Sequence, residues 1–166
     1  MTALLFALLL SAGDTPWTLH LSEQPPFISA AVEPVPGNHA ALHHVVKPTF
    51  TLRCLDGRIR AEFHAATLHG VEPVASTLAK STTRVRFAFD DGEWKAGVWA
   101  RDYDAVTPSD DFMKSFEGSR RALIEVRVMC RGCGAPPSVA YKIDATGFPD
   151  ARKALARACS GSTTSY

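Results

Sequence analysis

The chain has 166 residues, 46% hydrophobic, 21% charged and 9% aromatic, the balance of an ordinary globular protein and not of a disordered, collagenous or coiled-coil one. Lys and Arg number 18 against 17 Asp and Glu, a formal net charge of +1, which leaves no basic excess for a nucleic-acid backbone and no acidic tail. The sole long apolar run, Ala3 to Leu10, falls far short of the roughly 20 residues that a membrane-spanning helix needs.

That run leads into Ser11-Ala12-Gly13, an apolar core followed by small residues, which is the pattern of a secretory signal peptide. Met1-Thr2 ahead of it carries none of the usual Lys or Arg. Residues 1–13 are therefore expected to be an export signal, 14–159 a single folded domain and 160–166 a flexible tail, with the protein periplasmic or secreted. In an oxidising compartment the four cysteines, Cys54, Cys130, Cys133 and Cys159, read first as disulfides. Three pairings are possible. Cys130 with Cys133 closes a short loop at little entropic cost, which leaves Cys54 with Cys159.

Alternation of apolar and polar residues dominates the rest. Trp17, Leu19 and Leu21 share one face of a first strand, and Phe27 to Val32 forms a second after Pro25-Pro26, the two pairing as a hairpin or lying at an edge. Pro34 to Lys47, with two prolines, a glycine and three histidines, reads as a loop. Phe50, Leu52 and Cys54 then alternate inward, Asp56-Gly57 turns the chain, and Ile59, Ala61 and Phe63 return. A second hairpin places Val85, Phe87 and Phe89 opposite Arg84, Arg86 and Ala88, with Asp91-Gly92 as the turn and Trp94 to Trp99 coming back. Ser109 caps a short helix with Asp110 and Asp111 in its first turn and Phe112 and Phe116 one turn apart. Ile124, Val126 and Val128 alternate with Glu125 and Arg127, and Val139, Tyr141 and Ile143 with Ala140 and Lys142, as the two strands of a third hairpin with Cys130 and Cys133 at its bend. A final amphipathic helix carries Phe148, Ala151, Leu155 and Cys159 on one stripe, which turns Cys159 toward an inward-facing Cys54. The expected fold is mainly β: an antiparallel β-sandwich with a short helix between strands and a C-terminal helix.

The Trp17 strand, Leu52-Arg53-Cys54, the run Val85 to Gly92 with Trp94 and Trp99 after it, and Tyr141-Lys142-Ile143-Asp144 leading to Ala158-Cys159 resemble the VasI-like family of small secreted bacterial proteins. The resemblance spans Trp17 to Cys159. It implies a periplasmic accessory protein, in some members encoded with a type VI secretion system, with a β-sandwich and a disulfide from the Arg-Cys strand to the terminal helix. It supplies no catalytic residues. This chain departs from the family in Cys130-Arg131-Gly132-Cys133, in the histidine-bearing loop and in the stretch around Val71 to Thr82.

Chemistry beyond the scaffold has few anchors. A redox CxxC needs its first thiol at a helix N-terminus, and Gly134-Ala135-Pro136-Pro137 makes no helix. A structural small-loop bridge at Cys130 and Cys133 is the first reading, with a zinc knuckle or a redox centre as alternatives. His39, His43 and His44 are weak metal candidates in a loop that nothing in the sequence orders. Trp94, Trp99 and Tyr103 could line a ligand face if they point outward, against a competing use as core aromatics. Asp90, Asp91 and Glu93 are accounted for by a turn, and Asp102 with Asp104 lacks the spacing of a calcium loop. No G-x-S-x-G, HExxH, P-loop or dinucleotide fingerprint occurs. The expected function is a non-enzymatic binding or accessory protein of the bacterial envelope, without a cofactor, acting on a protein partner and not on nucleic acid. The alternative is an exported thiol- or metal-handling protein that uses Cys130, Cys133 and the histidines.

Overall fold

A computed structural model describes residues 15–35, 47–65, 70–76, 81–103, 105–129 and 134–161. Among the described residues eleven strands and two helices follow one another: β1 (Trp17–His20), β2 (Phe27–Ala31), β3 (Glu33–Pro34), β4 (Thr49–Leu55), β5 (Arg58–His64), β6 (Ala75–Ser76), β7 (Ser81–Phe89), β8 (Lys95–Asp102), β9 (Ala105–Thr107), α1 (Asp110–Glu117), β10 (Arg121–Arg127), β11 (Ser138–Asp144) and α2 (Phe148–Gly161). The strands are hydrogen-bonded in the order β1-β2-β4-β5-β9-β8-β7-β10-β11-β3, with β6 also on β7. Every described pairing is antiparallel. Because β2 and β3 are separated only by Val32, one continuous stretch of chain borders both β4 and β11, and the sheet closes on itself.

The two halves of this folded sheet face one another across a single core. Phe63 of β5 meets Tyr141 of β11 at 5.1 Å between ring centroids, although the two strands are not neighbours in the sheet. Helix α1 is begun by Ser109, whose Oγ accepts the Phe112 N–H at 3.3 Å, as its N-cap position requires. It plugs the core. Phe112 packs on Phe87 and Trp99 of one half, at 5.4 and 5.0 Å, and on Phe50 of the other at 6.3 Å. Phe116 stands between Phe50 and Phe148, at 5.3 and 4.7 Å. Helix α2 buries the expected stripe of Phe148, Ala151, Leu155 and Cys159 and lies against β1, β2, β4 and β5.

The turns divide in an instructive way. Asp56 and Gly57, with φ of 52° and 70°, join the directly paired Leu55 and Arg58, the two-residue turn in which both central residues need positive φ. The second hairpin is wider than its Asp91-Gly92 suggests: pairing of β7 with β8 stops at Phe87 and Lys95, and the positive φ, 51°, falls on Asp90. On its other edge β7 runs on, with Ala88 and Phe89 paired to Leu123 and Ala122 of β10, and the Asp90 carboxylate accepts the backbone N–H groups of Arg120 and Arg121 at 3.0 and 3.2 Å, which anchors the turn on β10.

Tyr141 is fully buried among these layers, and burial pushes its hydroxyl well above the ordinary tyrosine range, because the phenolate would lose its hydration. A raised folded-state value means that the fold favours the protonated form. Its stabilisation is complete below the unfolded value of about 10 and is lost as pH rises beyond it. Urea denaturation of the wild type between about pH 9 and about pH 11 should show stability falling more steeply than in Tyr141→Phe. Parallel slopes would remove Tyr141 from the alkaline transition.

Candidate binding face

Cys54 and Cys159 form a disulfide with a Cα to Cα distance of 5.6 Å across a sequence separation of 105, and both are buried. It lies where the inward alternation of β4 meets the apolar stripe of α2. Cys130, Cys133, His39, His43 and His44 lie outside the described residues, as do residues 1–14 and Asp104. Among the described residues no three His, Cys, Asp or Glu side chains come together as a metal site, and no helix is long and apolar enough to cross a membrane.

The three aromatics do not form one face. Trp99 is a core residue, 2% exposed, stacked at 5.5 Å on Phe87. Trp94 and Tyr103, 39% and 55% exposed, flank opposite ends of β8, a strand whose eight residues span about 27 Å at ~3.4 Å each. Strand parity explains the split. Trp94 and Trp99 are five residues apart, so an extended chain directs them to opposite sides. Tyr103, with φ of 53°, instead ends β8 and accepts the Val71 N–H at its carbonyl at 2.9 Å. Gly70 fits against this carbonyl with φ of 75°, where a Cβ would come within 2.9 Å of the Tyr103 oxygen.

A different face is built on the outside of β8, β7, β10 and β11. Inward residues of β7 fill the core, so its outward positions carry Arg84 and Arg86. Across the sheet Arg84 is in register with Val98, and Arg86 with Ala96 on one side and Glu125 on the other. These residues and Arg127 line an open groove of about 450 Å³. Val98 is 63% exposed there, and the Arg86 guanidinium lies 5.1 Å from the centroid of Trp94. Arg86 pairs with Glu125 at 3.2 Å and Arg127 with Glu72 at 3.3 Å, whereas Arg84 has no ion-pair partner among the described residues. Such half-exposed pairs are worth about 0–1 kcal/mol, so an incoming carboxylate competes for these guanidiniums at small cost.

A second depression, of about 600 Å³, opens where the β7 turn meets the β10 and β11 ends. Its acids are already used. Asp90 holds two backbone N–H groups, Asp91 pairs with Arg121, and Asp144 accepts the Thr146 N–H at 2.8 Å.

No family model matches the chain, and no curated relative matches it. Among solved structures, that of invasion associated protein B from Bartonella henselae is similar, with a TM-score of 0.50 and 13% identity over 84% of this chain and 91% of that one. At that identity the likeness concerns the fold alone, and it agrees with a mostly antiparallel β architecture carrying a C-terminal helix.

Proposed function

We propose that the protein is an exported, non-enzymatic binding module of the bacterial cell envelope that presents its arginine-lined sheet face to a protein partner. The observation that carries this reading is the buried Cys54–Cys159 bridge, since structural disulfides persist in oxidising compartments and are rare in the cytosol. The apolar run before Ser11 supports export by the same logic, as the segment that would direct the chain there. The VasI-like resemblance supports an accessory role, beside a type VI secretion system in some members.

The test is expression of the full chain with a C-terminal tag in a bacterial host, followed by osmotic shock, intact mass and thiol labelling. The expected result is periplasmic protein shortened by about 13 residues, with Cys54 and Cys159 refractory to labelling until reduced. Full-length cytoplasmic protein with both thiols labelled would overturn the proposal. Stoichiometric zinc, or rapid alkylation of Cys130 at neutral pH, would move the assignment to thiol or metal handling.

A further inference from the structure

We infer that the groove on β7, β8 and β10 is shaped for an extended acidic segment of a protein partner, one carrying carboxylates on alternate residues. The inference rests on the binding-module reading above, but not on export. Arg84 and Arg86 project from one side of β7 two positions apart, which sets their Cα atoms about 6.8 Å apart at ~3.4 Å per residue. An extended peptide laid along β7 presents its own alternate side chains on one side with that same repeat. A carboxylate at one position meets Arg84, which no described acid neutralises, and the next but one meets Arg86.

The surroundings select further. Of the groove's charged residues, Arg84, Arg86 and Arg127 are cationic and Glu125 is the lone acid; with Arg86 paired to Glu125 and Arg127 to Glu72, Arg84 supplies the uncompensated positive charge. Val98 stands directly beside Arg84, and Trp94 backs Arg86. Both give the partner apolar contact alongside its charges. A planar guanidinium held over an indole by its face keeps its N–H edge turned away from the ring, where a partner carboxylate competes with Glu125 for Arg86.

Fluorescence anisotropy on the oxidised full chain decides it, with a labelled peptide of four Glu-Thr repeats against one of four Glu-Thr-Thr-Thr repeats, equal in charge but broken in spacing. The alternating peptide should bind at least about fivefold tighter, and the double variant Arg84→Ala, Arg86→Ala should weaken it about tenfold. Arg157→Ala, on the exposed side of α2, should leave it unchanged. Near-UV circular dichroism checks that the double variant stays folded. Equal affinity for the two peptides, or undiminished binding by the double variant, would overturn the inference. Tighter binding to polyuridylate or to phosphatidylglycerol vesicles than to the alternating peptide would overturn it too, by pointing to a phosphate ligand. Because the assay is indifferent to compartment, its outcome and that of the fractionation experiment are read separately.

Discussion

Removing the bridge with Cys54→Ala and Cys159→Ala together is expected to lower stability by about 2–5 kcal/mol, and the melting temperature by about 5–15 °C for a chain of this size. The bridge spans 105 residues, so most of the unfolded chain is constrained by it. It also pins α2 to β4, and through α2's apolar stripe to β1, β2 and β5. Each single variant should cost about as much as the double one, because either removes the whole cross-link, and the two effects therefore do not add. Thermal melts followed by circular dichroism, with and without reductant, measure this. A double variant that melts within about 1 °C of the oxidised wild type, well inside the range expected for loss of a cross-link, would show that the bridge contributes nothing.

Phe112→Ala is expected to cost about 3–5 kcal/mol, as for other fully buried phenylalanines. Phe112 is 0% exposed and its ring contacts Phe50, Phe87, Phe89, Trp99 and Phe116. These rings come from both halves of the sheet and from α1 itself. Collapse around the cavity would need both halves to move, so relaxation recovers little. Phe112→Leu keeps most of the apolar volume and should lose about 1.5 kcal/mol or less. Urea midpoints at constant m-value report both. If the alanine variant lost no more than the leucine one, α1 would be a surface cover and not a core plug.

What could be read in advance follows from the length of each pattern. Strands of seven or more residues, such as β4, β5, β7, β10 and β11, hold enough alternation to declare themselves, and Ser109 and the Phe148 stripe mark the two helices. β3, β6 and β9, with two, two and three residues, are too short to show a period. What makes them strands is the partner across the sheet, which no local rule contains. The arginine face was half legible. Alternation points Arg84, Arg86 and Arg127 outward, but that β10 lies beside β7, with β8, β9 and α1 between them in the chain, is a matter of topology. Trp94 could have been divided from Trp99 by spacing alone, since an odd separation along an extended chain sends two side chains to opposite faces, whereas Tyr103, an even step from Trp99, escapes that rule because its positive φ ends β8.

The closure of the sheet also bears on how quickly the chain can reach its fold. Pro34 and Tyr141, paired where β3 meets β11, are more than a hundred residues apart, a separation that makes them a costly contact to find. The bridge supplies a shortcut. Through it, about twenty residues lead from Pro34 to Cys54 and about eighteen from Cys159 back to Tyr141, and the entropy of closing that shorter path is smaller by about 0.9 kcal/mol. A chain oxidised early therefore searches for its last seam over little more than a third of the contour that a reduced chain must explore, so the same covalent link that holds the finished fold also guides its completion.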